Sequence, residues 1–291
     1  MDWYLLAFAS ALFSAAAAIS QKKILFEMNA LKFSTILSFV NIPFALVFLY
    51  NSNFSELNST ALVILYGKSI LGAFAFWSVM LALKNMEISG ALPLMVLTPG
   101  FVALFAFLIL GESLTPFSIA GMVLLLAGTY VLEMSGKGTL FEPFKVFVKS
   151  ERHRYIIYAL ALFTVSSLLD KYLLRDYKME PYLFVGFQQI FLAVNFFIIF
   201  LFVEKSPKKL FDGVSISKFK WIVLISFFTV VYRYAHIEAV KIAPVALVLT
   251  IKRTSVFFAT AIGGKLFSEH KLTQKIIATI IMLAGVYLII G

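Results

Sequence analysis

The chain has no cysteine. Disulfides, thiolate nucleophiles and cysteine-bound metals are therefore excluded. Histidine is almost as scarce. His153, His236 and His270 are scattered and lack the i, i+4 spacing of a zinc-binding helix. Charge is thin, at 14% of residues, against about 25% in soluble domains. No Asp-rich pair or His/Asp cluster suited to metal or general-base work occurs. That argues against an integral membrane enzyme, and nothing calls for a cofactor. The nucleotide-binding loop GxxxxGK-S/T is missing as well.

Apolar residues fill the space that charge leaves. The chain is 61% hydrophobic with 32 Phe and a mean hydropathy of +0.94, where soluble domains run to about 45–50% apolar. The surplus must face lipid. A net charge of +10 could suit nucleic acid, but the basic residues sit mainly between apolar segments. Juxtamembrane signals are placed in that way, so the expected partner is the bilayer and not nucleic acid.

Ten apolar segments near the length of a membrane span can be read, at 3–20, 31–50, 61–83, 88–110, 116–131, 155–174, 181–203, 219–240, 242–267 and 273–290. Lipid offers the backbone no hydrogen-bond partner, so these must be helices. They lack the alternation of a membrane barrel. The first carries Asp2 and no basic residue ahead of its apolar run, which reads as an uncleaved span rather than a signal peptide. "KNME" and "GESLT" are links short enough to force antiparallel neighbours.

The two halves resemble each other. "GMVLLLAGTYVL" from Gly121 matches "ATIIMLAGVYLI" from Ala278 at a constant offset of 157, and Glu112 matches Glu269 at the same offset. "ALFS" from Ala11 matches "ALFT" from Ala161, and the first and sixth segments each close on a lysine, Lys22 and Lys171. Each half is thus a five-helix repeat. Five is odd, so the second repeat is expected upside down relative to the first.

The endings "LGESLTPFSIAGMVLLLAGTYVL" and "SEHKLTQKIIATIIMLAGVYLII", with the two closing lysines, resemble the drug/metabolite transporter superfamily and specifically its EamA-type ten-helix members. The resemblance spans nearly the whole chain. It implies an all-α integral membrane fold of ten transmembrane helices in two inverted five-helix repeats. The repeats are 1–134 and 155–291, with a linker at 135–154. It implies secondary transport of a small organic metabolite by alternating access, in the cytoplasmic (inner) membrane, as a monomer or homodimer. Two rivals share the scaffold: an exporter of amino acids or aromatic compounds, and a lipid-phosphate flippase.

The candidate site begins at "VLTIKRTSVFF", where Lys252 and Arg253 interrupt an apolar run. A charge at the bilayer centre costs about 2.5–3.5 kcal/mol even on lenient scales. Counted from a turn at Lys241, this pair and Arg233 lie at similar depth on neighbouring helices. Three converging cations make sense around an anion, for which arginine offers a planar fork and lysine a compact charge. His236 shares the face of Arg233, and Thr250 flanks the pair. An adjacent Lys-Arg here also resembles the phosphate-binding pair of the sugar-phosphate and nucleotide-sugar branch of the superfamily. The competing reading is an ion pair with Glu238 or Asp170, and these two with His236 are the titratable groups near enough to couple or gate transport. In the first repeat "VLTPGF", with Thr98, Pro99 and Gly100, stands where the cations stand in the second, and Pro93 and Pro99 weaken the helix. Trp77 corresponds to Tyr234, a possible aromatic pair in a pocket. Glu112 and Glu269, in tight turns, are expected to cap helix N-termini, with gating as the alternative. Lys22 and Lys171 are expected to snorkel to the interface.

Orientation is read two ways. Most remaining Lys and Arg, with Lys68 counted as a link residue, lie after odd-numbered segments. The positive-inside rule then puts both termini outside, whereas the resemblance implies both inside.

Overall fold

In the computed structural model the described residues are 2–98, 100–101, 115–133, 150–243 and 245–290, and no strand occurs among them. The helices are α1 (Trp3–Leu25), α2 (Ala30–Tyr50), α3 (Ser59–Asn85), α4 (Ile88–Leu94), α5 (Pro116–Glu133), α6 (Glu151–Arg175), α7 (Pro181–Glu204), α8 (Ile216–Ile242), α9 (Val245–Phe258) and α10 (Leu272–Ile290). Short 3₁₀ turns lie at Phe54–Glu56 and Pro207–Leu210. Glu112, Pro99 and most of the central linker lie outside the described residues.

Local chemistry sets the helix starts. Asn29 and Asn58 accept from backbone N–H groups one turn ahead, at 2.8 Å from Leu31 N and Thr60 N. Ser215 caps α8, and Pro181 opens α7 where its missing N–H costs nothing. Among the described residues six helices are long and apolar enough to cross a membrane: α1, α2, α3, α6, α7 and α8. At 1.5 Å per residue each exceeds a hydrocarbon core of about 30 Å. α5, α10 and the stretch from Ile88 to Leu97 are shorter and also apolar.

These helices have two kinds of apolar face. On α3, Val63, Tyr66, Ile70 and Phe74 are exposed in one stripe, and on α1 Leu5, Phe8 and Leu12 are. In water such stripes would drive aggregation, but in a bilayer they are the lipid-facing surface. The opposite faces carry small residues into the core, such as Ala7, Ala11 and Ala15 on α1.

The repeat reappears in the packing. The most extensive helix contacts are α5 with α10, α1 with α8, α3 with α6, and α2 with α7. Exchange the halves, so that α1 takes the place of α6 and so on, and this set is unchanged. Some weaker pairs obey the same rule: α3 with α7 matches α8 with α2, and α2 with α3 matches α7 with α8. At the α5–α10 crossing stand the glycines of the repeated Leu-Ala-Gly motif. A Cβ on Gly128 would collide with the Met282 side chain, and one on Gly285 would lie 2.7 Å from the Gly121 carbonyl. The shared motif is thus a contact surface on which each half closes against the other.

Two irregularities bend the inner helices. In α4 the α-helix ends one residue after Pro93 and tightens into a 3₁₀ turn at Met95–Leu97, as the loss of a backbone donor requires. In the second half, α9 loosens into a π turn at Ala259–Gly263 before one more α-helical turn at Gly264–Leu266. Gly263 and Gly264 pack there against Ile88 and Ser89 at the start of α4.

Candidate functional site

A cavity of about 260 Å³ lies between the halves, lined by α1–α4 and α6–α9 and, among the described residues, by none of α5 or α10. Its lining follows helical spacing. α2 contributes Ser34, Leu37, Ser38 and Asn41, α6 contributes Phe163, Ser166, Ser167 and Asp170, and α8 contributes Thr229, Tyr232, Arg233 and His236. Each set is i, i+3, i+4, i+7, one face of one helix. The polar face of these helices is therefore the inner one.

Arg233, Lys252 and Arg253 all reach this cavity. The turn between α8 and α9 falls two residues later than the sequence reading placed it, because Lys241 still belongs to the last turn of α8. The shift brings the cations closer in level. Lys252 stands seven residues past Val245 and Arg233 nine before Ile242, so about 11 and 14 Å from the helix ends.

Arg233 and Lys252 have partners other than the carboxylates of the competing reading. Arg233 donates to Gln188 Oε1 at 2.6 Å. Lys252 sits over the Tyr232 ring, 5.5 Å from its centroid. Asp170 pairs with Lys68 of α3. Lys68 is no link residue: it lies inside α3 and is fully buried. Sequence reading missed this burial, and the Lys68 ammonium also lies 4.8 Å from the Phe184 ring centroid. Glu238 interacts with Tyr234.

A neutral network holds the floor. Asn41 Nδ2 donates to Gln189 Oε1 at 3.0 Å, and the Ser226 hydroxyl donates to Asn41 Oδ1. Four lining side chains keep a buried polar atom with no partner among the described residues: Ser34 Oγ, Thr229 Oγ1, His236 Nδ1 and Arg253 Nε. Buried polar atoms in native folds are nearly always paired, so unpaired ones facing one cavity mark it as a place for a polar guest.

Other candidates lie elsewhere. Tyr234 is off this lining, its hydroxyl 2.9 Å from that of Tyr182 and its ring 5.1 Å from Phe48. Trp77 packs with Phe74 at 6.5 Å, so the aromatic partner of Tyr234 is Tyr182 and not Trp77. Thr98 turns its hydroxyl to the Met95 carbonyl at 2.7 Å. Thr250 lies in α9, while its side chain and that of Lys171 lie outside the description.

One end of the cavity is strapped. Lys22 does not snorkel. It is buried and donates to the carbonyls of Leu83 at 2.5 Å and Met86 at 2.6 Å, at the C-terminus of α3. Those carbonyls have no intrahelical donor, and a cation is favoured there. Glu269 does cap a helix, but that helix is α4 in the other half. Its carboxylate accepts from Ile88 N at 2.6 Å, from Ser89 N at 2.9 Å and from the Ser89 hydroxyl. In return Glu87, before α4, accepts from His270 N at 3.2 Å and pairs with Lys275 of α10. Burial pushes the Glu87 carboxyl up, yet hydrogen bonds from Lys275 and His270 outweigh it and hold the group below its ordinary range.

The EamA-like transporter family matches residues 1–134 and 154–291. The chain belongs to this family. Members are membrane transporters of small substrates, and the chain is a multi-pass integral membrane protein of the drug/metabolite transporter superfamily. Among 28 similar chains of solved structures, one described only as a crystal structure of a protein is 17% identical. The match covers 98% of this chain and 95% of that one with a TM-score of 0.61, a likeness of fold. No curated protein matches.

Proposed function

We propose that this EamA-family protein is a secondary transporter of a small organic metabolite, anionic or zwitterionic, which binds in the central cavity at Arg233, Lys252 and Arg253. In this reading ten membrane spans form two inverted repeats in the cytoplasmic membrane, the halves rock about the cavity, and the solute crosses unchanged. The observation that carries the reading is the convergence of three cationic side chains from α8 and α9 on one cavity bounded by both halves. Bringing like charges together in a low-dielectric interior is costly. Among the described residues only Asp170 opposes them on the lining, and Lys68 already engages it.

The test is a melting series on detergent-purified protein with sugar phosphates, nucleotides, carboxylates, amino acids and lipid phosphates. A ligand stabilises the folded state by about 2.7 kcal/mol at a hundredfold excess over its dissociation constant. Stabilisation by anions that disappears in Lys252→Ala and Arg253→Ala, with loss of uptake in proteoliposomes, is the expected result. Stabilisation by neutral solutes alone, unchanged in both variants, sinks the reading.

A further inference from the structure

The two ends of the cavity differ chemically, and α1 shows which end is which. Its first turns, Trp3 to Ala7, pack with Ala239, Val240 and Val248 at the α8–α9 turn. Its last turns hold the α3–α4 turn through Lys22. These places are fifteen residues apart along α1, from Ala7 to Lys22, or about 22 Å. The α8–α9 and α3–α4 turns therefore mark opposite ends.

The charged side chains on the cavity lining, Arg233, Lys252, Arg253 and Asp170, lie toward the first end, with Lys68 behind Asp170. Toward the other end the lining from α3 and α4 is Phe76, Val79, Met80, Leu83, Leu92 and Met95. These are uncharged and apolar, and the uncharged polar side chains Gln21, Ser34 and Ser38 of α1 and α2 share the cavity with them. The charged end is also lopsided. Asp170 is the one acidic side chain on the lining among the described residues, and Lys68 already pairs with it. An incoming ammonium would meet three cations on the lining and a carboxylate that Lys68 already engages.

Building on the proposed anion site, we infer that the substrate is an organic acid without an ammonium group, its anionic head among Arg233, Lys252 and Arg253 and its uncharged body along Val79, Met80, Leu83, Leu92 and Met95. The head supplies the charge that the cluster lacks. The body replaces water on the apolar wall, so affinity grows with apolar area. An α-amino acid of the same skeleton brings the same carboxylate but adds a cation where, among the described residues, no unengaged carboxylate lines the cavity. Specificity of this kind comes from the repulsive element as much as from the attractive one.

The experiment is titration of the full-length, detergent-purified protein by calorimetry and melting with matched probes. These are acetate and inorganic phosphate as heads alone, hexanoate against L-norleucine, and 3-phenylpropionate against L-phenylalanine. Either long acid is expected to bind at least tenfold more tightly than acetate and at least tenfold more tightly than its amino counterpart. Arg253→Gln abolishes binding of the acid, and Val79→Thr weakens the long acids several-fold while leaving acetate unchanged. Equal binding of an acid and its amino counterpart, or of acetate and the long acids, overturns the inference and leaves the anion site standing. If no acid binds, or if Arg253→Gln binds them as the parent does, the anion site fails too.

Discussion

Lys68 and Asp170 form an ion pair that joins α3 of the first half to α6 of the second, with the Lys68 side chain wholly buried and that of Asp170 18% exposed. Asp170→Asn leaves the lysine buried opposite a neutral group. Breaking a buried pair from one side costs about 3–5 kcal/mol, whereas replacing both partners by neutral groups is often near neutral. Asp170→Asn is therefore expected to melt well below the parent, and Lys68→Met with Asp170→Asn to recover most of the loss. Single and double variants that melt together would show that the carboxylate does not act as the counter-ion of Lys68.

The α5–α10 crossing makes a separate prediction. Gly285→Ala sets a methyl 2.7 Å from the Gly121 carbonyl, so one helix must move. Overpacking of this kind costs about 1–3 kcal/mol. Gly67→Ala has nothing within 4 Å of the new carbon, and it removes a residue that weakens helices by about 1 kcal/mol. Melting of the two variants should shift in opposite directions.

Acid pH should act through Glu87. Its carboxyl is held below the ordinary value of 4.5 in the folded protein. A depressed acid stabilises the fold fully above its unfolded value and loses that contribution as pH falls through the folded one. Glu87→Gln should thus lower the melting temperature by a constant amount between about pH 6 and 8. The difference should shrink below about pH 4.5. A difference that persists unchanged to pH 3.5 would mean that the charge is not what Lys275 and His270 hold.

Lys22 supplies the donors that the end of α3 lacks. Lys22→Met leaves the carbonyls of Leu83 and Met86 without this partner, at about 1–3 kcal/mol. Hydrogen exchange should quicken around residues 83–90 while α6 and α7 keep their protection. Uniform loss of protection would instead point to global destabilisation.

The parts of this architecture that the sequence made legible are those written in local pattern. Apolar runs announced the helices, a constant offset announced the repeat, and three cations in apolar surroundings announced the cavity because such charges are rarely tolerated without a purpose. What stayed hidden depends on partners from distant helices. Lys68 stands nine residues into α3, close enough to its start to pass for a link residue until Asp170 appears opposite. Lys22 looked like any lysine at a helix end, since the carbonyls that bury it belong to α3. Glu269 was expected to cap the helix that follows it, and the helix it reaches begins at Ile88. Tyr234 and Trp77 matched by repeat position, but equivalent positions in exchanged halves need not touch.

The π turn at Ala259–Gly263 fits one more residue than an α-helical turn of the same length holds. It therefore sets the phase between two contacts of this helix, with Lys252 and Arg253 on the cavity before it and Gly263 and Gly264 against α4 where it ends. A chain shortened by one residue within the bulge can relax to plain α-helix with both stretches still in phase. The same deletion between Val245 and Ile251 turns the preceding stretch by about 100° relative to the cations, at 3.6 residues per turn. Tolerance to a change in length should thus be confined to one place in this helix, and there it should be high.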